Sequence, residues 1–248
     1  MQTIKIIAGN IWRCWFFFNA VLIFFLLYPF VVFYIRKPTG YPMVFKLKKI
    51  WAGYTLFVSG INCIVVQPVK LDKNLAYIFC PNHASVLDIF ISYKAIPQYF
   101  HFMGKAELKR IPFFRIFFKD MNIAVDRDSI KASYGAYARA ESDLKKGISL
   151  GIFAEGTIPA CTPRLGGFKN GAFKLAIENE VAIVPVTFVN TWKILPDVNR
   201  KFGGRPGTVT VHIHKPISTQ TIALNRLPEL RDAVRNKIQE PLRPYYIM

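Results

Sequence analysis

The sequence predicts an α/β domain with a mostly parallel, twisted sheet flanked by helices, preceded by an N-terminal membrane-associated helical hairpin. Two observations predict it. From about residue 74, β-branched and aromatic runs alternate with helical patterns, which is the signature of βαβ units. Before that point lie two uncharged stretches, Cys14 through Ile35 and Ile50 through Val69. The chain is therefore divided into membrane-anchoring helices over 1–72 and a globular domain over 73–248.

The first stretch holds 22 residues without a charge, including Phe16, Phe17, Phe18, Phe24, Phe25 and Phe30. As a helix it reaches roughly 33 Å, enough for a hydrocarbon core. Trp12, Trp15 and Tyr34 flank it as an interfacial belt would. Pro29 favours a bend. The second stretch is less apolar and forms the other arm. In the domain, strand 76–80 leads into a helix over 85–95. A strand near 99–104 precedes a helical piece over 112–118. Strand 122–125 precedes a helix from Ser129 to Lys145, which Gly147 stops. Strand 148–153, helix 170–179, strand 181–188, strand 207–213 and a helix over 226–240 complete the order.

Charge narrows the partners. Lys and Arg number 33 against 15 Asp and Glu, a net +18. Eight basic residues and no acid precede Asp72. Such a chain seeks a polyanion or an anionic membrane surface. The apolar N-terminus argues against nucleic acid as the partner and for membrane lipids, which leaves a basic nucleic-acid binder as the third-ranked reading. If both stretches spanned the bilayer, the basic connection would be cytoplasmic and the domain would lie opposite. A hairpin in one leaflet keeps the whole chain on the cytoplasmic face, and that monotopic arrangement is the expectation adopted. A single span through the first stretch remains the alternative. Cys14, Cys63, Cys80 and Cys161 show no paired spacing and read as reduced packing residues. His212 and His214 share one strand face, but no third ligand stands near, so no metal is expected.

The chemistry concentrates after strand 76–80, in Asn82-His83-Ala84-Ser85-Val86-Leu87-Asp88. Ser85 and Asp88 form a capping pattern, with Ser85 at the N-cap and Asp88 at the third helical position. His83 then lies just outside the helix, where its ring folds back to meet Asp88. A carboxylate on one ring nitrogen fixes the tautomer and supports the imidazolium. From the local pattern alone, a cap that merely serves the helix dipole stays equally open. Other groups gather at the strand ends, as in open α/β sheets. They are Asp126-Arg127, Glu155-Gly156-Thr157, and Gly166 through Gly171 opening the next helix, with Arg127, Lys169 and Lys105 as cations for a phosphate.

Together these blocks resemble the 1-acylglycerol-3-phosphate acyltransferases. The resemblance rests on Asn82-His83-x4-Asp88, Lys105-Ala106-Glu107-Leu108, Ile123-Ala124-Val125-Asp126-Arg127, Phe153-Ala154-Glu155-Gly156-Thr157, Phe168-Lys169-Asn170-Gly171-Ala172 and Ile183-Val184-Pro185-Val186. It covers about residues 75–190, in the family's order. It implies that 73–248 is an acyltransferase catalytic domain without a cofactor. In such enzymes the histidine deprotonates an acceptor hydroxyl, which attacks an acyl thioester or acyl phosphate with no covalent enzyme intermediate. His83 is then the base and Asp88 its orienting acid. Asn82 fixes the turn, and Arg127, Glu155, Gly156, Thr157 and Lys169 shape the head-group site, with Lys105 beside them. The partners are a lyso-lipid acceptor and a donor on acyl carrier protein, coenzyme A or phosphate. Three departures stand out. Met121 replaces a usual glycine, Ala154 a proline and Ile158 an arginine. The last removes a bidentate phosphate ligand, which Arg164, Lys169 or Arg127 is left to replace, and it keeps a lyso-amino-acid lipid acceptor open.

Two rivals remain. Gly147-Ile148-Ser149-Leu150-Gly151 spells a nucleophile elbow, but a helix precedes it and a strand follows, the reverse of the required context. A non-catalytic membrane-binding protein is the other.

Overall fold

A computed structural model of the chain describes residues 2–126, 130–197 and 203–246. Helix α1 (Gln2–Tyr34) and α2 (Tyr41–Val58) form the expected hairpin. The domain then runs β1 (Ile61–Val66), β2 (Ile78–Pro81), α3 (Leu87–Ala95), β3 (Phe100–Lys105), α4 (Phe117–Asp120), β4 (Ile123–Val125), α5 (Ile130–Lys145) and β5 (Ser149–Ile152). It continues with α6 (Gly171–Glu178), β6 (Ile183–Phe188), α7 (Thr191–Ile194), β7 (Gly207–Ile213) and α8 (Leu227–Gln239). The sheet order is β1-β7-β6-β2-β5-β3-β4. Every pairing is parallel except β6 with β7. Central strands β2 and β6 are buried at every residue, which is why they read as unbroken apolar runs. One core layer packs the sheet against α1, α2 and α3, the other against α5, α6 and α8.

Four expectations are corrected. The second uncharged stretch is not one arm of the hairpin. It is the last half of α2 followed by edge strand β1, so the sheet begins inside the segment assigned to the anchor. Helix α1 runs through Pro29 without a break, and the chain reverses at 35–40 instead. The 112–118 helix is split into a 3₁₀ turn at Phe114–Ile116 and the short α4, with Phe113 at φ 66° against Phe25 and Tyr28 of α1. Cys80 is buried, but Cys14 and Cys161 are exposed rather than packed. The helix stop at Gly147 is a Schellman turn with φ 76°, in which Gly147 N–H meets Leu144 O and Ile148 N–H meets Asp143 O. Ser149 is buried, and its hydroxyl accepts the Tyr77 N–H, so the elbow reading fails.

The hairpin is pinned by indoles. Trp12 and Trp15 donate to the carbonyls of Ser59 and Val58, closing the C-terminal end of α2, and Trp51 donates back to Ala20 O at 2.8 Å. These tryptophans thus hold two helices together. Toward the domain, Arg13 donates to the carbonyls of Pro196 and Gly203, Phe16 packs on Phe90, and Gly9 lies against Gly204. The outward side of α1 keeps Phe18, Leu22, Phe25, Leu26, Phe30 and Phe33 exposed, continued on α2 by Phe57 at 82%. An apolar face of that length fits a membrane-associated segment.

The turn between the helices admits no side chain at Gly40, where a Cβ would stand 2.0 Å from the Tyr34 carbonyl oxygen. Gly53, within α2, has nothing within 4 Å. Gly40→Ala is therefore expected to destabilise by about 1–3 kcal/mol, and Gly53→Ala to stabilise by up to about 1 kcal/mol. Thermal melts of both variants in detergent check the opposite signs.

Candidate active site

The loop after β2 is held on three sides. Asn82 Nδ2 donates to Phe188 O at 3.1 Å and Oδ1 accepts Phe188 N–H at 2.7 Å, clamping the end of β2 to β6. The His83 N–H donates to Glu155 Oε1 at 2.8 Å. Ser85 Oγ donates to Leu195 O at 2.6 Å. It also accepts the Leu87 N–H at 3.0 Å, while Asp88 accepts the Ser85 N–H at 2.9 Å; the two brace the helix start, but Val86 stands at the N-cap and Asp88 at the second helical position, so the expected capping box is shifted by one residue. The regular helix starts two residues past Ser85, at Leu87.

Asp88 is wholly buried and gathers three donors on one oxygen. Its Oδ2 takes the N–H groups of Ala84 and Ser85, at 2.6 and 2.9 Å, and meets His83 Nδ1 at 2.8 Å. With a carboxylate on Nδ1, that nitrogen carries the ring hydrogen and Nε2 keeps its lone pair. The imidazole stacks on Phe153, 4.1 Å between centroids and 21° between planes, and keeps 16% of its side-chain surface open. Position and tautomer are thus both fixed before a substrate arrives. A second His–Asp pair in the chain lacks this opening. His101 and Asp143 are both buried at 2.7 Å, and His101 Nε2 is taken by the Tyr99 hydroxyl at 2.6 Å.

Glu155 joins three loops. Its Oε1 holds His83, and its Oε2 accepts the Gly166 N–H at 2.6 Å. Burial pushes its carboxyl above the usual range, and the two N–H donors oppose that rise.

His83 opens onto a cavity of about 530 Å³. At the carboxyl edge of the sheet its wall is polar, with Lys105, Glu107, Gly156, Thr157 and Asp197. Further in, Phe24, Leu27, Trp51, Tyr93, Phe102 and Phe117 make it apolar, so α1 and α2 supply part of the lining. A histidine nitrogen with a free lone pair in the wall of a largely apolar pocket of this size suits a reaction on the head of a long-chain substrate.

The sequence profile described as "Acyltransferase" matches residues 62–189. The chain belongs to the acyltransferase family. It is 30% identical to the 1-acyl-sn-glycerol-3-phosphate acyltransferase of Borreliella burgdorferi, over 76% of this chain and 74% of that one. It is 32% identical to the enzyme of the same description from Saccharomyces cerevisiae, over 78% and 66%. The crystal structure of the 1-acyl-sn-glycerophosphate (LPA) acyltransferase of Thermotoga maritima superposes with a TM-score of 0.81 at 21% identity. It covers 99% of this chain and 98% of that one, a likeness of fold.

In this acyltransferase the expected residues separate by location. His83, Lys105, Gly156 and Thr157 line the cavity, and Asp88 lies directly behind His83. Asn82 and Glu155 stand behind the wall and spend their polar atoms on backbone. Neither reaches the hydroxyl or cation expected for Glu155. Lys169 is exposed, its N–H on Ala154 O, and none of Gly166 through Gly171 lines the cavity. Arg127 lies outside the described residues. The backbone donors of Ala84, Ser85 and Leu87 are occupied, so they are not the oxyanion site expected at the helix start. Of the three departures from the family pattern, Met121 and Ala154 are buried, and Ile158 lines the cavity. Sequence reasoning missed Phe153 under the histidine and Lys48 and Asn122 in the cavity wall. Lys48 had a signal, because it falls on the buried stripe Val44, Leu47, Ala52, Thr55 of α2.

Proposed function

We propose that the protein is a membrane-associated acyltransferase that converts 1-acyl-sn-glycerol 3-phosphate to phosphatidic acid. The observation that carries this reading is the His83–Asp88 pair opening its imidazole onto an apolar cavity partly walled by the anchor helices. His83 Nε2 takes the proton of the acceptor hydroxyl as the oxygen attacks the activated acyl carbon. Asp88 stabilises the imidazolium that forms. The new ester bond forms as the bond to the thiolate or phosphate breaks, and the imidazolium returns its proton to the leaving group or to water. Lys105 and Thr157, at the polar rim, receive the acceptor phosphate. Asn82 and Glu155 position the loop.

The hairpin is read as monotopic. α1 packs along its length on α2 and the domain, and Arg13 within it is bonded to two domain carbonyls. That packing supports a helix lying in one leaflet, and the cytoplasmic face is part of the same proposal; Ile111 and Phe113, both exposed, stand among Lys109, Arg110 and Arg115.

The test is acyl transfer by the purified protein in mixed micelles. Labelled acyl thioesters on coenzyme A or acyl carrier protein and acyl phosphate are the donors. The acceptors are lysophosphatidic acid, lysophosphatidylcholine and a lyso-amino-acid lipid. Labelled phosphatidic acid is the expected product. Because Ile158 takes a guanidinium from the pattern, transfer confined to the amino lipid would replace the acceptor and keep the mechanism. No transfer from any donor would overturn the reading.

A further inference from the structure

The cavity wall carries a lysine amino group that the proposed reaction does not use. Lys48 is 7% exposed, lies on the buried face of α2 and lines the cavity. Its Nζ sits over the Phe117 ring at 4.6 Å and the Tyr93 ring at 5.7 Å. Among the described residues its hydrogen-bond partner is Asn122 Oδ1, at a long 3.5 Å. As ammonium it has three N–H donors and as amine two, so in either form at least one faces the aromatic walls and the cavity. Burial alone pushes this group down to about 7.

Lys48 sits away from the base. Asn122 Oδ1 also accepts the Phe102 N–H. Phe102 pairs with Gly151, and Gly151 with Phe79. Asn122 therefore lies level with Phe79 in the first half of β2, whereas His83 follows the end of that strand. The stacked rings of His83, Phe153 and Phe102 mark the way to that level. A chain whose activated carbonyl meets His83 and whose tail follows those rings reaches Lys48 with its far part.

A plain methyl end pressed on this group leaves its N–H donors without an acceptor, which is the costly arrangement for buried polar groups. An uncharged oxygen on the chain supplies the acceptor.

We propose that Lys48, with Asn122, is a specificity-determining pair that selects acyl chains carrying a hydroxyl or similar oxygen on their distal part over plain chains of equal length. This rests on the acyltransferase reading and adds the chemistry of the chain to it.

The test compares saturated acyl donors graded in length with the same series bearing a terminal hydroxyl, in whichever activated form the protein accepts. Wild type is expected to favour the hydroxylated donor by about tenfold or more in kcat/KM at the lengths that reach Lys48, the worth of one buried hydrogen bond or more. Lys48→Met is expected to reverse that preference, and Lys48→Gln, which keeps a donor, to retain part of it. Replacing a buried charge by an apolar side chain of similar length tends to stabilise, so Lys48→Met should melt no lower than wild type. A hydroxyl-to-plain ratio that is the same in wild type, Lys48→Met and Lys48→Gln overturns the role of Lys48 and leaves the acyltransferase reading standing. No transfer by wild type from any donor overturns both.

Discussion

His83→Ala is expected to lower acyl transfer by about 10²–10⁴-fold, the usual worth of a positioned general base, with the fold retained. The reason lies in how the loop is held. Asp88 Oδ2 keeps the N–H groups of Ala84 and Ser85 when the imidazole is gone. The His83 backbone N–H still reaches Glu155. The substitution therefore removes the base and its stack on Phe153 while leaving the backbone frame intact. Asp88→Asn separates the two halves of the pair. It keeps the size of the side chain but loses the charge, so the imidazole is no longer held in one tautomer with its cation supported. The loss is expected to approach that of His83→Ala, up to about 10⁴-fold. The double variant should be little worse than the worse single one, because the two act as a unit. Initial rates at saturating lysophosphatidic acid, beside circular dichroism of each variant, provide the check. Wild-type rates in a folded His83→Ala protein would remove the histidine from the chemistry.

Glu155→Ala is the second large effect, and it strikes through position rather than contact. The carboxylate is 4% exposed and satisfies two backbone donors from two different loops. Truncation leaves both N–H groups without a partner, at about 1–3 kcal/mol each. Because one of them belongs to His83, the base shifts with its backbone, and a displacement near 1 Å costs roughly 10²-fold in rate. Glu155→Gln keeps one acceptor oxygen but turns an NH₂ toward the other donor. It should lie between wild type and Glu155→Ala in both stability and rate. The discriminating readout is the split between kcat and KM. A positioning role lowers kcat with KM for the acceptor nearly unchanged, whereas direct ligation of the head group would raise KM.

What could be read from the sequence was local or periodic. His83 and Asp88 lie five residues apart, so the local pattern placed the ring outside the helix and its partner inside it, and the order of the other blocks decided between a plain cap and a catalytic pair. The central strands were legible because burial on both faces writes an unbroken apolar run. Strand β1 was hidden because it follows the apolar end of α2 with only Ser59 and Gly60 between, and an apolar run alone does not tell helix from strand. The break at 112–118 depends on Phe113 leaving the helical region to pack on α1, a contact across more than eighty residues of chain. Glu155 is the same case at the site. Its motif was visible, but its partner His83 is 72 residues away, and nothing in the spelling says that it holds backbone rather than substrate. Lys48 looked like one of several basic residues in a solvated connection. Only the extension of α2 back to Tyr41 turns it inward.

The wall that α1 and α2 share with the cavity has a kinetic consequence. Phe24 and Leu27 line the pocket from the same helix whose Phe25 and Leu26 face outward. On the proposed membrane-associated reading, substrate would enter from a surface on which it is already dissolved. Turnover should follow the mole fraction of lyso-lipid in that surface, so diluting the lyso-lipid with inert detergent slows the enzyme even when its bulk molarity is constant. The same partition should retain the product, so phosphatidic acid added to the film is expected to slow turnover by its mole fraction there rather than by its concentration in water.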